Sequence, residues 1–210
     1  MFDEARVQRV VDKFEVAEVA AAACHCRDKG DWEALGDCFT PDATVHISWH
    51  TGTAHGFIER SREMVASKKP GEHSKHMLGS PLVRLNGGRA TAEYDVVLHQ
   101  RRFLEGVELD FATWSRYLDL LEKNGGAWRI HRRTAIYEKD RMDPYEPRKA
   151  SDTFYASINL EGFPANIRYH CWRNTRSGRR PPRGVVVAGS PEEAAARGYA
   201  AKWLSGGPRG

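Results

Sequence analysis

Apolar positions early in the chain recur at the three-to-four spacing of a helix. From Asp12 to Asp28, Val16, Val19, Ala20 and Ala23 share one side, while Glu15, Glu18 and His25 share the other. That pattern predicts an amphipathic helix. Gly30 ends it, and Asp31 is placed to cap a short helix over Trp32 to Phe39. Thr40-Pro41-Asp42 is a turn signal, and Thr44 to Trp49 alternates like a strand. Gly56 to Lys69 has helical spacing again, stopped by Pro70-Gly71.

After Gly71 the period falls to two. Four strands are predicted over Lys75–Leu85, Arg89–Arg102, Leu109–Glu122 and Trp128–Glu138. Asn86-Gly87-Gly88 and Asn124-Gly125-Gly126 between them are hairpin turns. Helices followed by a meander, without βαβ alternation, mean an α+β fold. The expected architecture is a curved antiparallel sheet packed on a long N-terminal helix. The small residues Ala20–Ala23 leave room for a cone-shaped cavity between them.

The pattern changes again beyond residue 143. Asp143–Pro147 is an extended connector, and Phe154–Arg173 is rich in aromatics. Arg179–Arg183, with Pro181-Pro182, is loop-like. Ser190-Pro191 opens a helix that runs to about Leu204. The chain therefore divides into an α+β domain, 1–143, and a C-terminal extension, 144–210, expected to pack on the same domain or on a partner subunit.

Composition narrows the class. The chain has 210 residues, 40% hydrophobic and 29% charged, enough to bury a core. No apolar run nears the roughly 20 residues of a membrane span. The first residues lack a charged-then-apolar leader pattern, so a cytoplasmic protein is expected. Four dispersed cysteines fit reduced thiols better than a disulfide framework. From Pro164 onward nine Lys/Arg face two acids, against 23 and 26 in the rest. That basic tail (Arg168, Arg173, Arg176, Arg179, Arg180, Arg183) could touch an anion, a partner or nucleic acid, and is expected first to be a solvated or intersubunit surface. No nucleic-acid motif accompanies it.

The most conspicuous chemistry lies in Cys24-His25-Cys26-Arg27-Asp28. Two cysteines two apart on a helix diverge, and no second pair stands nearby, so no metal is expected. Asp28 borders the apolar face, and Arg27 lies closer to its centre. A carboxylate at a helix C-terminus is electrostatically misplaced, which marks Asp28 as a candidate with a task. His76, at the start of the first meander strand, is a second candidate. By alternation, Arg132 shares a face with Trp128 and Ile130 and would point into the cavity; a bulge would put Arg133 there instead. Trp49, Phe103, Trp114 and Tyr117 are candidate walls for a flat, apolar or aromatic ligand.

The segments DKGDWEALGDCFTPDATVHI, HMLGSP and RYLDLLEKNGGAWRIHRRTAIYEKDRMDP resemble the SnoaL-like branch of the nuclear transport factor 2-like superfamily. The resemblance covers about residues 10–143. It is similar in particular to scytalone dehydratase, bile acid 7α-dehydratase and hexachlorocyclohexane dehydrochlorinase. In those enzymes an aspartate on the long helix pairs with a histidine opening the first long strand, positions that here carry Asp28 and His76. The resemblance further implies an active-site role for His99, in Leu98–Phe103, although alternation aims His99 away from Tyr94 and Leu98 unless the strand bulges. Many relatives carry a tyrosine where this chain has Ala23.

The implied activity is a cofactor-independent lyase acting on an aromatic or polycyclic small molecule. His76 would be the base, Asp28 its orienting carboxylate, and Arg132 or Arg27 the support for a developing anion. Water is the first expected leaving group, with others, such as formaldehyde, open. An isomerase or cyclase on the same scaffold, or a non-catalytic ligand-binding or assembly subunit, are the alternatives. The family also implies a homodimer or homotrimer, with neither nucleic acid nor membrane as a partner.

Overall fold

The computed structural model describes residues 3–179 and 184–209. Arg180, Pro181, Pro182 and Arg183, four of the five residues of the expected loop Arg179–Arg183, lie outside the described residues. The first helix, α1, spans Glu4–Lys29 and starts earlier than its apolar stripe, because Asp3 caps it by accepting from the Arg6 amide at 3.0 Å. Gly30 ends it with φ 79°, a left-handed turn that glycine adopts without penalty. Helix α2 is Trp32–Asp37, capped by Asp31. Strand β1 is Phe39–Ile47, β2 is His50–Thr53, and helix α3 is Ala54–Ala66.

The expected strand Lys75–Leu85 is two strands, β3 (His73–Leu78) and β4 (Leu82–Asn86). Gly79, packed on Asp95, and Pro81, which has no N–H to donate, separate them. Both pair with successive lengths of β5, Arg89–Leu104. Strand β6 is Val107–Asn124 and β7 is Ala127–Pro144. The sheet order is β2-β1-β7-β6-β5-β3, antiparallel except where β1 runs parallel to β7. Its concave face closes on α1 through Val16, Ala20, Ala23 and Cys24.

The extension packs on this same unit. Helices α4 (Asp152–Ala156) and α5 (Arg168–Arg176) close one end of the β5–β6 hairpin, with Phe154 and Trp172 against Leu104, Leu109 and Phe111. A two-residue strand, β8 (Val186–Val187), joins β7. Helix α6 (Pro191–Leu204) then lies on the convex face, where Trp203 and Ala200 cover Leu118, Leu120 and Ile136.

One bulge decides the interior. Opposite Leu120 and Leu121, β7 carries His131 as an extra residue, so Ile130 pairs with Leu121 but Arg132 with Leu120. Alternation flips there. Arg132 consequently points to the convex face, over the Tyr199 ring at 4.1 Å, and Arg133 points inward. The expectation that Arg132 faces the cavity is corrected to Arg133.

Arg133, 2% exposed, grips the fully buried Asp119 through Nε and Nη2 at 2.8 and 2.7 Å. It also donates to Tyr94 Oη (2.7 Å) and the Ala20 carbonyl (3.2 Å), which fastens α1 to the sheet. Removing one partner strands a buried charge. Asp119→Asn is therefore expected to cost about 3–5 kcal/mol, and Asp119→Leu with Arg133→Met to recover most of it, as read from urea unfolding midpoints.

Candidate active site

The last turn of α1 brings Arg27 and Asp28 to the mouth of the sheet, beside β3. His76 is 4% exposed, and its Nδ1 lies 2.7 Å from Asp28 Oδ1. The other carboxylate oxygen accepts the His76 backbone N–H at 2.6 Å. Arg27 Nη1 lies 3.2 Å from His76 Nε2. A guanidinium can only donate, so Nε2 must be the acceptor and Nδ1 must carry the proton. The arrangement thus fixes one neutral tautomer. Arg27 is held in turn: its Nε donates to Ser61 Oγ on α3 at 3.1 Å. Its guanidinium sits 5.4 Å from the rings of Trp49 and Phe57, which stack at 5.5 Å.

Burial pushes the His76 imidazole below its ordinary value of 6.5, helped by the Arg27 and Arg133 charges and opposed by Asp28. Burial raises the Asp28 carboxyl, but its hydrogen bonds and charge contact with His76 outweigh that, so it lies below the usual carboxylate value. Near neutral pH the site therefore holds a carboxylate, a neutral imidazole and a guanidinium in a row.

The structure brings Asp28, His76, Arg27 and Trp49 together. Tyr117 lines the same interior one step deeper, beside Tyr94 at 5.8 Å and the Arg133 guanidinium at 5.0 Å. It does not bring in His99 or Trp114. Strand β5 pairs with β6 without a register shift through His99, so His99 stays outward and exposed. Trp114 shares that outer face, where Lys139 Nζ sits 4.5 Å from its ring. Arg132 is also outside, in a groove with Thr134, Val186 and Tyr199 on the far side of the sheet from His76. These three expected site residues are corrected.

The extension supplies residues that sequence reasoning missed. His170, on α5, enters the interior with Nε2 close to Ser48 Oγ at 2.5 Å and Nδ1 at 3.1 Å from Thr113 Oγ1. Ser48 in turn donates its backbone N–H to Tyr137 Oη at 3.0 Å. Arg173 Nη2 reaches His170 Nδ1 at 3.2 Å, which by the same donor logic places the His170 proton on Nε2. Burial first, then Arg173 and Arg179, push His170 well below 6.5. The basic tail is thus partly internal: Arg173 is 2% exposed, against the expectation of a solvated surface. Only the aromatic density of Phe154–Trp172 signalled that this segment packs.

The SnoaL-like domain model matches residues 8–134 of the chain. Pea pathogenicity protein 2 of Fusarium vanettenii is 27% identical over 172 residues, which cover 80% of this chain and 72% of that protein. Among solved structures, a scytalone dehydratase-like protein of Novosphingobium aromaticivorans superposes with a TM-score of 0.54 at 16% identity, covering 66% of this chain and 90% of that one. A type 2 hexachlorocyclohexane dehydrochlorinase gives 0.53 at 13% identity, covering 67% and 93%. At those identities the two structures establish the shared fold, a nuclear transport factor 2-like cone of sheet and helix.

His76 and His170, two of the buried histidines, make the fold acid-sensitive. Each has a folded value below its unfolded 6.5, so the unfolded chain binds protons first as pH falls. Their contribution is complete above 6.5 and is lost as pH drops below it toward the folded values. Urea midpoints are expected to hold steady above about pH 7 and to fall below about pH 6.5, with a shallower fall in His76→Asn.

Proposed function

Because the chain belongs to the SnoaL-like family, we propose that it is a cofactor-independent lyase that removes water from a hydroxylated aromatic or polycyclic small molecule. The observation that carries this reading is the His76 Nε2 lone pair, held between Asp28 and Arg27 at the mouth of a curved sheet. A neutral imidazole is a competent base near pH 7, and a carboxylate on its far nitrogen stabilises the imidazolium once formed.

In the resting state Arg27 caps that lone pair. A substrate oxygen entering beside Arg27 takes over the guanidinium and frees Nε2. His76 then removes the proton from the carbon next to a carbonyl or phenol-type ring. Negative charge develops on the oxygen facing Arg27, a fixed cation close to it. The electron pair returns to form the carbon–carbon double bond and expels the hydroxyl group, which leaves as water with the proton from His76. Trp49 and Phe57 offer flat walls for the ring system. Ala23 leaves no hydroxyl at the place where many relatives have a tyrosine, and the proton on the leaving group is assigned to His76.

The test is turnover of a panel of aromatic β-hydroxy ketones, followed by the absorbance of the conjugated product. His76→Ala is expected to lower kcat/KM by about 10²–10⁴-fold with its melting temperature near the parent's. Asp28→Asn, which keeps an oxygen for the His76 backbone N–H, should lose less. Parent-like rates in both variants would exclude the mechanism.

A further inference from the structure

At the extension's end of the cone the interior holds an excess of guanidinium. Arg102, on the inward face of β5, is 6% exposed and donates only to neutral acceptors: the His73 and Arg101 carbonyls and Ser74 Oγ. Arg173 and Arg179 converge on one atom, Asn174 Oδ1, at 3.1 and 2.8 Å. Two guanidiniums sharing one amide oxygen are neighbours. Among the described residues none of the three arginines makes an ion pair. The carboxylates whose charges reach them, Glu72 toward Arg102 and Arg179 and Asp140 toward Arg173, make no ion pair with them: Glu72 accepts the Lys69 and Phe103 amides, and Asp140 accepts the His170 amide.

Donors are left over. Arg173 Nε and Nη1 and Asn174 Nδ2 are buried with no hydrogen-bond partner, in residues 2% and 0% exposed. A buried cation without a counter-charge is costly, and a buried donor without an acceptor adds about 1–3 kcal/mol. Burial first, then the charges of Arg179 and Arg102, push Arg173 down to about 9; burial, then Arg102 and Arg27, push Arg179 down to about 10. Both remain charged near neutral pH, so an anion is the missing element.

We propose that this end of the cone binds the carboxylate of an aromatic small molecule, held by Arg173 and Arg179 with Arg102 beside them. The proposal rests on the small-molecule reading of the His76 site and extends it to a substrate class. A planar carboxylate matches a guanidinium fork. The Arg173 guanidinium also lies 5.4 Å from the Phe111 ring, which gives the carboxylate's ring an aromatic neighbour. The Arg102 edge of the site lies within one molecule's reach of the base. Ser74, which touches Arg102, is two residues from His76 along the same face of β3, about 7 Å. A substrate anchored here by its carboxylate would present a carbon on the far side of its ring to His76 Nε2.

The experiment compares benzoate with benzamide, its neutral isostere, by calorimetry on the full chain. Benzoate is expected to bind at least about tenfold more tightly than benzamide. Arg179→Gln, at a partly exposed position, should reduce that preference to about twofold or less, and Arg173→Gln should do the same if it folds. His76→Ala should bind benzoate like the parent, whatever happens to turnover, so loss of the lyase reading and loss of this site are told apart. Equal affinity for benzamide, no measurable benzoate binding, or unchanged benzoate affinity in Arg179→Gln overturns the proposal.

Discussion

A neutral imidazole held between a carboxylate and a guanidinium is the interaction on which this site depends. Arg27 can only donate, so the lone pair of His76 must face it, and the proton must face Asp28. Two consecutive residues thereby set charge, tautomer and orientation together. They can do so because α1 reaches the mouth of the sheet before Gly30 turns it aside. The Arg133–Asp119–Tyr94 cluster makes that reach reproducible by tying the Ala20 carbonyl to the sheet.

The interior is unusually polar for its size. Arg133 is neutralised by Asp119, and Arg27 shares its site with Asp28. Among the described residues, Arg173 and Arg179, brought by the extension, make no such ion pair. Their burial is supported by apolar packing nearby, where Trp172 and Phe154 fill the end of the β5–β6 hairpin. Packing energy there holds charges in place that would otherwise stay in water, a pattern expected where a ligand completes the structure.

Local pattern made most of the fold legible, because helical and strand periods, Asn-Gly-Gly turns and the Ser190 cap are short-range signals. Asp28 stood out as a carboxylate at the wrong helix end, and Arg27 as a charge on an apolar face; their geometry explains both. Arg132 failed for a specific reason. The bulge at His131 adds one residue to β7, and a one-residue slip exchanges inside for outside. For His99 the alternation was correct and the resemblance misleading, since β5 does not bulge there. His170 was illegible because its partners, Ser48 and Thr113, reach it only through tertiary packing, and the burial of Arg173 depends on that same packing.

The central claim is that His76 rests as a neutral imidazole with a bare Nε2 facing Arg27. Nitrogen-15 NMR of ring-labelled protein at neutral pH tests it directly. The account predicts one protonated and one unprotonated ring nitrogen for His76, with the proton on Nδ1, and a shift to imidazolium only below pH 6.5. A proton on Nε2, or a charged ring at neutral pH, would contradict it.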